Sequence, residues 1–242
     1  MTRVGVVGAD GRMGQEVCRA VEAASDLELV SRVDVDDPIE WVVDAGSEVV
    51  VDFTVADAAR ATLPFLAGQG IHAVVGTTGF DDADLERFRA AFTGSNCLIA
   101  PNFAVGAVLM MHFAALAAPY FDTAEVIEFH HDGKVDAPSG TAVRTVERMA
   151  AASADWAADP TTHEVVEGSR GGRGPAGIRV HAVRMRGVVA NQEVVLGTTG
   201  QTLTIRHDTV DRSSFMPGVL LACRSIAEHP GLTLGLEPLL GL

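Results

Sequence analysis

The segment Glu128 to Ala142, EFHHDGKVDAPSGTA, gathers ionisable side chains of both signs just ahead of a Pro-Ser-Gly-Thr turn. His130 and His131 can each take up or release a proton near neutral pH, and Lys134 brings a positive charge to a chain whose formal net charge is -14. Ser139, Gly140 and Thr141 precede a helical pattern, so Ser139 reads as an N-cap. The N–H groups of Gly140 and Thr141, with the two hydroxyls, could also hold a carboxylate there. Proton transfer on an anionic small molecule is the chemistry that this set of groups can perform.

A second cluster lies near the front of the chain. VGVVGADGRMG places Gly8, Gly11 and Gly14 between a strand pattern and a helix pattern. Glycines in that position let the backbone turn tightly and approach a pyrophosphate, which then rests on the helix N-terminus. The spacing is G-x-x-G-x-x-G rather than the usual G-x-G-x-x-G, so a purely structural strand-to-helix turn is the alternative reading. Asp34, at the end of the next strand pattern, can accept hydrogen bonds from ribose hydroxyls and would repel a 2′-phosphate. Arg12 in the loop acts in the opposite sense, since a guanidinium can hold a 2′-phosphate. The balance predicts NADH as the preferred cofactor with NADPH tolerated. Thr77 and Thr78 in GTTGF could hydrogen-bond the nicotinamide half, and Asn102 with Phe103 in APNFAVG could line its ring; capping and core roles are the plainer readings of each.

These groups need elements to position them. Short β-branched runs at 3–8, 27–34, 48–54, 72–78 and 97–100 alternate with helical patterns near 12–24, 55–68 and 81–93. Continuous apolar strands separated by helices predict an α/β fold, a Rossmann-like, doubly wound parallel sheet. Beyond Phe103 come a long apolar helix, a strand at 124–131, a helix at about 139–152 and a Gly-rich loop. Strands at 178–185, 192–199 and 202–208 follow without intervening helices, which predicts an α+β second domain with an antiparallel or mixed sheet. A last helix at about 213–228 leads to a Gly- and Leu-rich tail whose destination is open. Along the strand at 124–131, alternation puts Glu128 and His130 on one face and Phe129 and His131 on the other. Both rings can share a pocket only if the strand ends by His131, and Asp132-Gly133 is a suitable turn.

Composition narrows the class further. The acidic balance and the lack of a Lys/Arg stripe argue against a nucleic-acid partner. The three cysteines, Cys18, Cys97 and Cys223, have no metal-ligand spacing, and a reduced intracellular compartment with no disulfide is the expectation. No signal-peptide pattern precedes Val4. The uncharged stretch between Arg89 and Asp122 is long enough to cross a bilayer, but Pro101, Asn102, His112 and Pro119 interrupt it, which favours a buried strand followed by a buried helix.

GADGRMG, DFT (52–54), GTTGF, PNFAVG, HHDGKVDAPSGTA and DRSSFMPG (211–218) together resemble the 4-hydroxy-tetrahydrodipicolinate reductases, formerly dihydrodipicolinate reductases, across essentially the whole chain. The resemblance implies a dinucleotide-binding domain over 1–103 and 211–242 and a substrate-binding and tetramerisation domain over 104–210. It also implies a cytoplasmic homotetramer acting on a cyclic imine dicarboxylate in lysine and diaminopimelate biosynthesis. Carried over residue by residue, His130 is the acid/base, Lys134 the proton donor, and His131, Lys134, Ser139, Gly140 and Thr141 bind substrate. Cofactor contacts fall on Gly8, Ala9, Asp10, Gly11, Arg12, Met13, Asp34, Gly76, Thr77, Thr78, Ala100, Pro101, Asn102 and Phe103. Val35 and Asp10 stand where some members carry Arg and Lys, which weakens the case for NADPH.

Three other readings compete. A non-catalytic NAD-binding sensor predicts an eroded His-His-Lys segment, and here it is intact. An L-aspartate dehydrogenase shares the two-domain plan but not the His-His-x-x-Lys spacing followed by Ser-Gly-Thr. A metal-dependent hydrolase using His130 and His131 lacks a third ligand, and adjacent strand residues diverge; no metal is expected.

Overall fold

Valine-rich runs build the first sheet, because β-branched side chains are stiff at χ1 and pack well on a pleated surface. Its strands are β1 (Thr2–Val7), β2 (Leu27–Val33), β3 (Val49–Asp52), β4 (His72–Val75) and β5 (Cys97–Ile99). They alternate with α1 (Arg12–Ala23), the short α2 (Trp41–Asp44), α3 (Ala56–Gly68) and α4 (Asp82–Ala91). Helix α1 buries Gly14, Val17, Cys18 and Val21, the i, i+3, i+4, i+7 stripe that faces a core. Helix α4 starts at a capping box in which Asp81 and Asp84 satisfy each other's backbone N–H. The sheet order is β11-β5-β4-β3-β1-β2, where β11 (Leu232–Leu234) pairs with β5, and every pairing is parallel. The chain runs outward in both directions from β1, so the crevice beyond the carboxyl ends of β1 and β3 is the switch point where such sheets bind ligands.

The computed structural model describes Met1–Leu242 and divides the chain into two units, Met1–Val105 with Arg212–Leu242, and Gly106–Asp211. The second unit is built on β6 (Thr123–His130), β7 (Gly172–Arg173), β8 (Arg179–Arg184), β9 (Ala190–Thr198) and β10 (Gln201–Thr209), in the order β10-β9-β6-β8-β7. β6 runs parallel to β8 and antiparallel to β9, so the sheet is mixed. Most of α5 (Val105–Ala117) and all of α6 (Gly140–Ala152) belong to this unit. Ala114, Val126, Val146, Met149 and Leu196 are among the buried residues of its core.

Several elements differ from the sequence expectation. Helix α5 is buried on one side only: Phe113 is 47%, Leu116 64% and the following Tyr120 76% exposed. The helix expected over 213–228 is divided into a 3-10 turn at Arg212–Phe215, α7 (Met216–Ser225) and a second 3-10 turn at Ile226–Glu228. Pro217 sits at the start of α7, where a missing N–H costs no helical bond. The Leu-rich tail returns to the first sheet as its edge strand β11. No helix is long and apolar enough to cross a membrane.

Candidate active site

Strand β6 ends at His130, so its alternation places Glu128 and His130 on one side, while His131 begins the turn and is exposed. Glu128 is fully buried. Its Oε1 accepts from the Ser139 N–H (3.0 Å) and from Arg184 Nη2 (2.8 Å), and its Oε2 accepts from Arg184 Nη1 (2.8 Å) and faces His130 Nδ1 at 2.5 Å. Arg184 stands directly across from His130 in the β6–β8 register. Burial alone would raise the Glu128 pKa, but Arg184, His130 and the Ser139 N–H together hold it below the usual glutamate value. For His130 burial dominates and lowers the pKa against the pull of Glu128, with the charges of Lys134 and Arg184 adding to the lowering.

The turn after β6 brings Lys134 back toward this pair. Its N–H donates to the His131 carbonyl at 3.1 Å, and its Nζ donates to both Asp136 oxygens at 2.7 and 2.8 Å. The Lys134 ammonium holds the exposed Asp136 carboxyl below its usual range. Arg184 Nη2 also donates to the Asp136 carbonyl at 2.6 Å, which pins the turn to β8. Ser139 is buried and caps α6, its Oγ accepting from the Ala142 N–H at 3.2 Å. Gly140 is exposed at the first position of α6, and a Cβ there would meet nothing within 4 Å. Thr141 is half-buried beside it. This unit therefore presents an imidazole, an ammonium and a helix N-terminus, a set suited to an anion that exchanges a proton.

In the first unit, the loop after β1 has the geometry of a phosphate cradle. Gly8 has φ of 79°, and a Cβ on it would lie 3.0 Å from the Phe53 carbonyl. A Cβ on Gly14 would lie 2.0 Å from the Gly8 carbonyl, so α1 rests directly on the loop. Gly11 precedes α1 without any side-chain cap, which leaves the helix start open to an anion. Ala9 is buried, Met13 half-buried, and Asp10 and Arg12 are exposed. Asp34 Oδ2 accepts from the Asp10 N–H at 2.7 Å and its Oδ1 from the Val35 N–H at 2.8 Å. Gly8, Gly11, Asp34, Val35, Phe53, Thr54 and Phe65 are among the walls of a cavity of about 810 Å³. A dinucleotide fits this arrangement: apolar walls for a base, a carboxylate for a ribose and an uncapped helix end for a pyrophosphate.

The remaining expected cofactor residues are differently placed. The Thr77 hydroxyl is buried and donates to Asp52 Oδ1 at 3.0 Å, whereas Thr78 is exposed. The Gly76 backbone lies against Phe53, whose ring carbon would be 2.0 Å from an added Cβ. Ala100 is buried and Pro101 exposed. Asn102 Oδ1 accepts from the Ala104 N–H at 2.8 Å. Phe103 is buried, and its ring packs at 5.7 Å on the ring of Phe53.

Glu128, Arg184 and Asp136 were not among the residues singled out from the sequence. Glu128 had a signal in its shared strand face with His130. Arg184 had none, because its place opposite His130 depends on which strands pair. No group of three or more His, Cys, Asp and Glu side chains is arranged to hold a metal ion.

A parallel sheet with a glycine loop at its switch point, and a second unit in which a buried carboxylate holds a half-buried imidazole, define an NAD(P)H-dependent oxidoreductase. The family models "Dihydrodipicolinate reductase, N-terminus" and "Dihydrodipicolinate reductase, C-terminus" match residues 2–103 and 106–240. The chain belongs to this family. It is 55% identical over 247 residues to a 4-hydroxy-tetrahydrodipicolinate reductase of Nocardia farcinica, covering 99% of each chain. With the reductase of the same name from Mycolicibacterium vanbaalenii it shares 54% identity over 244 residues, again covering 99% of each. The dipicolinate-bound dihydrodipicolinate reductase of Paenisporosarcina sp. TG-14 superposes with a TM-score of 0.89 at 35% identity, covering 98% of this chain and 99% of that one.

Proposed function

We propose that the chain reduces (2S,4S)-4-hydroxy-2,3,4,5-tetrahydrodipicolinate to tetrahydrodipicolinate, with loss of water, in L-lysine biosynthesis through diaminopimelate. The observation that carries this reading is the intact His130, Lys134 and Ser139-Gly140-Thr141 set, gathered at the end of β6 and the start of α6 around buried Glu128. Bound reduced nicotinamide supplies a hydride to the substrate ring. The ring hydroxyl leaves as water, so the reaction takes up one proton overall. Lys134 delivers that proton, and His130 serves as acid/base at the ring. His131, Lys134 and the Ser139-Gly140-Thr141 turn bind the substrate carboxylates, the cations by charge and the turn by its N–H groups.

Residues 1–103 with 211–242 form the dinucleotide-binding domain in this reading, and 104–210 the substrate-binding and oligomerisation domain. Gly8 to Met13 hold the pyrophosphate, Asp34 the adenosine ribose, and Gly76 to Thr78 with Ala100 to Phe103 the nicotinamide half. NADH is preferred over NADPH, because Asp34 lines the cavity and Val35 beside it adds no positive charge. The enzyme is a cytoplasmic homotetramer. Exposed Phe113, Leu116 and Tyr120 supply apolar surface of the kind that subunit contacts bury.

Oxidation of NADH and of NADPH at matched concentrations tests the assignment, with substrate formed in place from pyruvate and aspartate semialdehyde by the preceding synthase. Synthase-dependent oxidation, faster with NADH, is expected. A folded protein that binds NADH but oxidises neither cofactor would point to a sensor, and oxidative turnover of L-aspartate to a different dehydrogenase.

A further inference from the structure

Glu128 is 0% exposed yet uses both oxygens, on Ser139, Arg184 and His130. A carboxylate held ionised in this way can only accept hydrogen bonds, so the hydrogen in the Glu128–His130 contact sits on Nδ1. Neutral His130 is then the Nδ1–H tautomer, and its lone pair is on Nε2, on the side of the ring away from Glu128. A buried carboxylate without a cation would draw a second proton onto the imidazole. Arg184 answers that charge with two bonds of 2.8 Å each. Its Nη2 reaches on to the Asp136 carbonyl, within the turn that bears Lys134. A single buried anchor therefore serves the imidazole, the Lys134 turn and, through the Ser139 N–H, the start of α6.

We propose that Glu128 and Arg184 are a positioning pair for His130: Glu128 fixes the tautomer that leaves Nε2 available, and Arg184 cancels the carboxylate's charge while tying it to the Lys134 turn. Neither residue touches the substrate in this account, which rests on the reductase reading only for what passes through Nε2. The charged groups facing His130 are Glu128 on its own strand, Arg184 on β8, and Lys134 on the turn with its partner Asp136. On the other neighbouring strand, β9, the residue opposite is Ala190.

Nitrogen-15 NMR of histidine-labelled wild-type protein, with His130→Gln used for assignment, reads the tautomer directly. An Nδ1–H signal at neutral pH is expected, and an Nε2–H signal overturns the proposal whether or not the Glu128 and Arg184 variants fold. In Glu128→Gln, kcat falls by on the order of 10²-fold, more than KM rises, NADH affinity is unchanged, and the tautomers mix. In Arg184→Met the proton shared by His130 and Glu128 is released at higher pH, so the pH limb of kcat moves upward. Arg184→Lys moves it part of the way back. A role in packing alone would lower the folded fraction without moving the tautomer or the limb. Folded Glu128→Gln with wild-type kcat and a single tautomer, or an unmoved limb in Arg184→Met, defeats the proposal. If the wild-type protein does not reduce the substrate, the assigned reaction fails, and the tautomer still judges the positioning pair.

Discussion

The Thr77 hydroxyl donates to Asp52 Oδ1 at 3.0 Å, joining the end of β3 to the segment that follows β4. The same oxygen accepts from the Thr54 N–H at 2.9 Å and the Thr54 hydroxyl at 2.7 Å, while Oδ2 is buried without a partner. Burial raises the Asp52 pKa above its ordinary 3.8, against the lowering by the Thr54 and Thr77 bonds. A raised folded-state pKa means that this group's stabilisation is complete below the unfolded value and is lost as pH rises through the folded one. Asp52→Asn keeps an acceptor for the threonines and removes the ionisation. Its melting temperature relative to wild type is expected to climb between pH 4 and pH 8. A difference that is flat or falls with pH in paired thermal melts would show that Asp52 is ionised at no cost.

Gly14 tests how closely α1 must sit on the loop after β1. With a Cβ placed 2.0 Å from the Gly8 carbonyl, Gly14→Ala has to push backbone against backbone. Overpacking of this kind costs about 1–3 kcal/mol. Urea unfolding should show that loss, and NADH titration by fluorescence should show weaker binding. Gly140→Ala is the control for stability, since the added methyl meets nothing within 4 Å.

Asp34 governs cofactor choice if its carboxylate faces the ribose. Asp34→Asn keeps an acceptor oxygen for only one of the two N–H groups, Asp10 or Val35, that Asp34 now holds on separate oxygens, and it removes the negative charge that would repel a 2′-phosphate. The ratio of kcat/KM for NADPH to that for NADH should rise by about tenfold, which corresponds to about 1.4 kcal/mol. Steady-state kinetics with both cofactors measures it, and an unchanged ratio would move the choice to Arg12.

For the chemistry itself, His130→Gln should lower kcat by roughly 10²–10⁴-fold with NADH affinity unaltered, because the substitution lies in the other unit from the glycine loop. Lys134→Ala should lower kcat and raise the substrate KM together if, as proposed, one ammonium both donates a proton and binds a carboxylate. Wild-type values of both constants in Lys134→Ala would rule out the double role.

Much of this was legible in the sequence because local rules were obeyed locally. The valine runs became β1 to β4, the Pro-Ser-Gly-Thr turn became the N-terminus of α6, and alternation along β6 correctly paired Glu128 with His130. Features that depend on distant parts of the chain were not legible. Arg184 lies 56 positions from Glu128 and meets it only because β6 and β8 are neighbours. The inward turn of Thr77 and Phe103 likewise depends on Asp52 and Phe53, residues whose proximity is set by the order of strands. Helix α5 looked uniformly apolar, and composition alone could not say that Phe113 and Leu116 would face outward.

The edge strand β11 has a consequence for synthesis. The first sheet takes its β11 edge from Leu232–Leu234, and α7 presses so closely on the same unit that a Cβ on Gly218 would lie 2.1 Å from the Phe103 carbonyl. Residues 106–211, the whole of the second unit, leave the ribosome before either segment. The inserted unit is contiguous and can close as soon as it emerges, while β5 waits with one side unpaired. The first sheet can thus be completed only after residues 106–211 have been made, and until then β5 presents an unpaired strand edge.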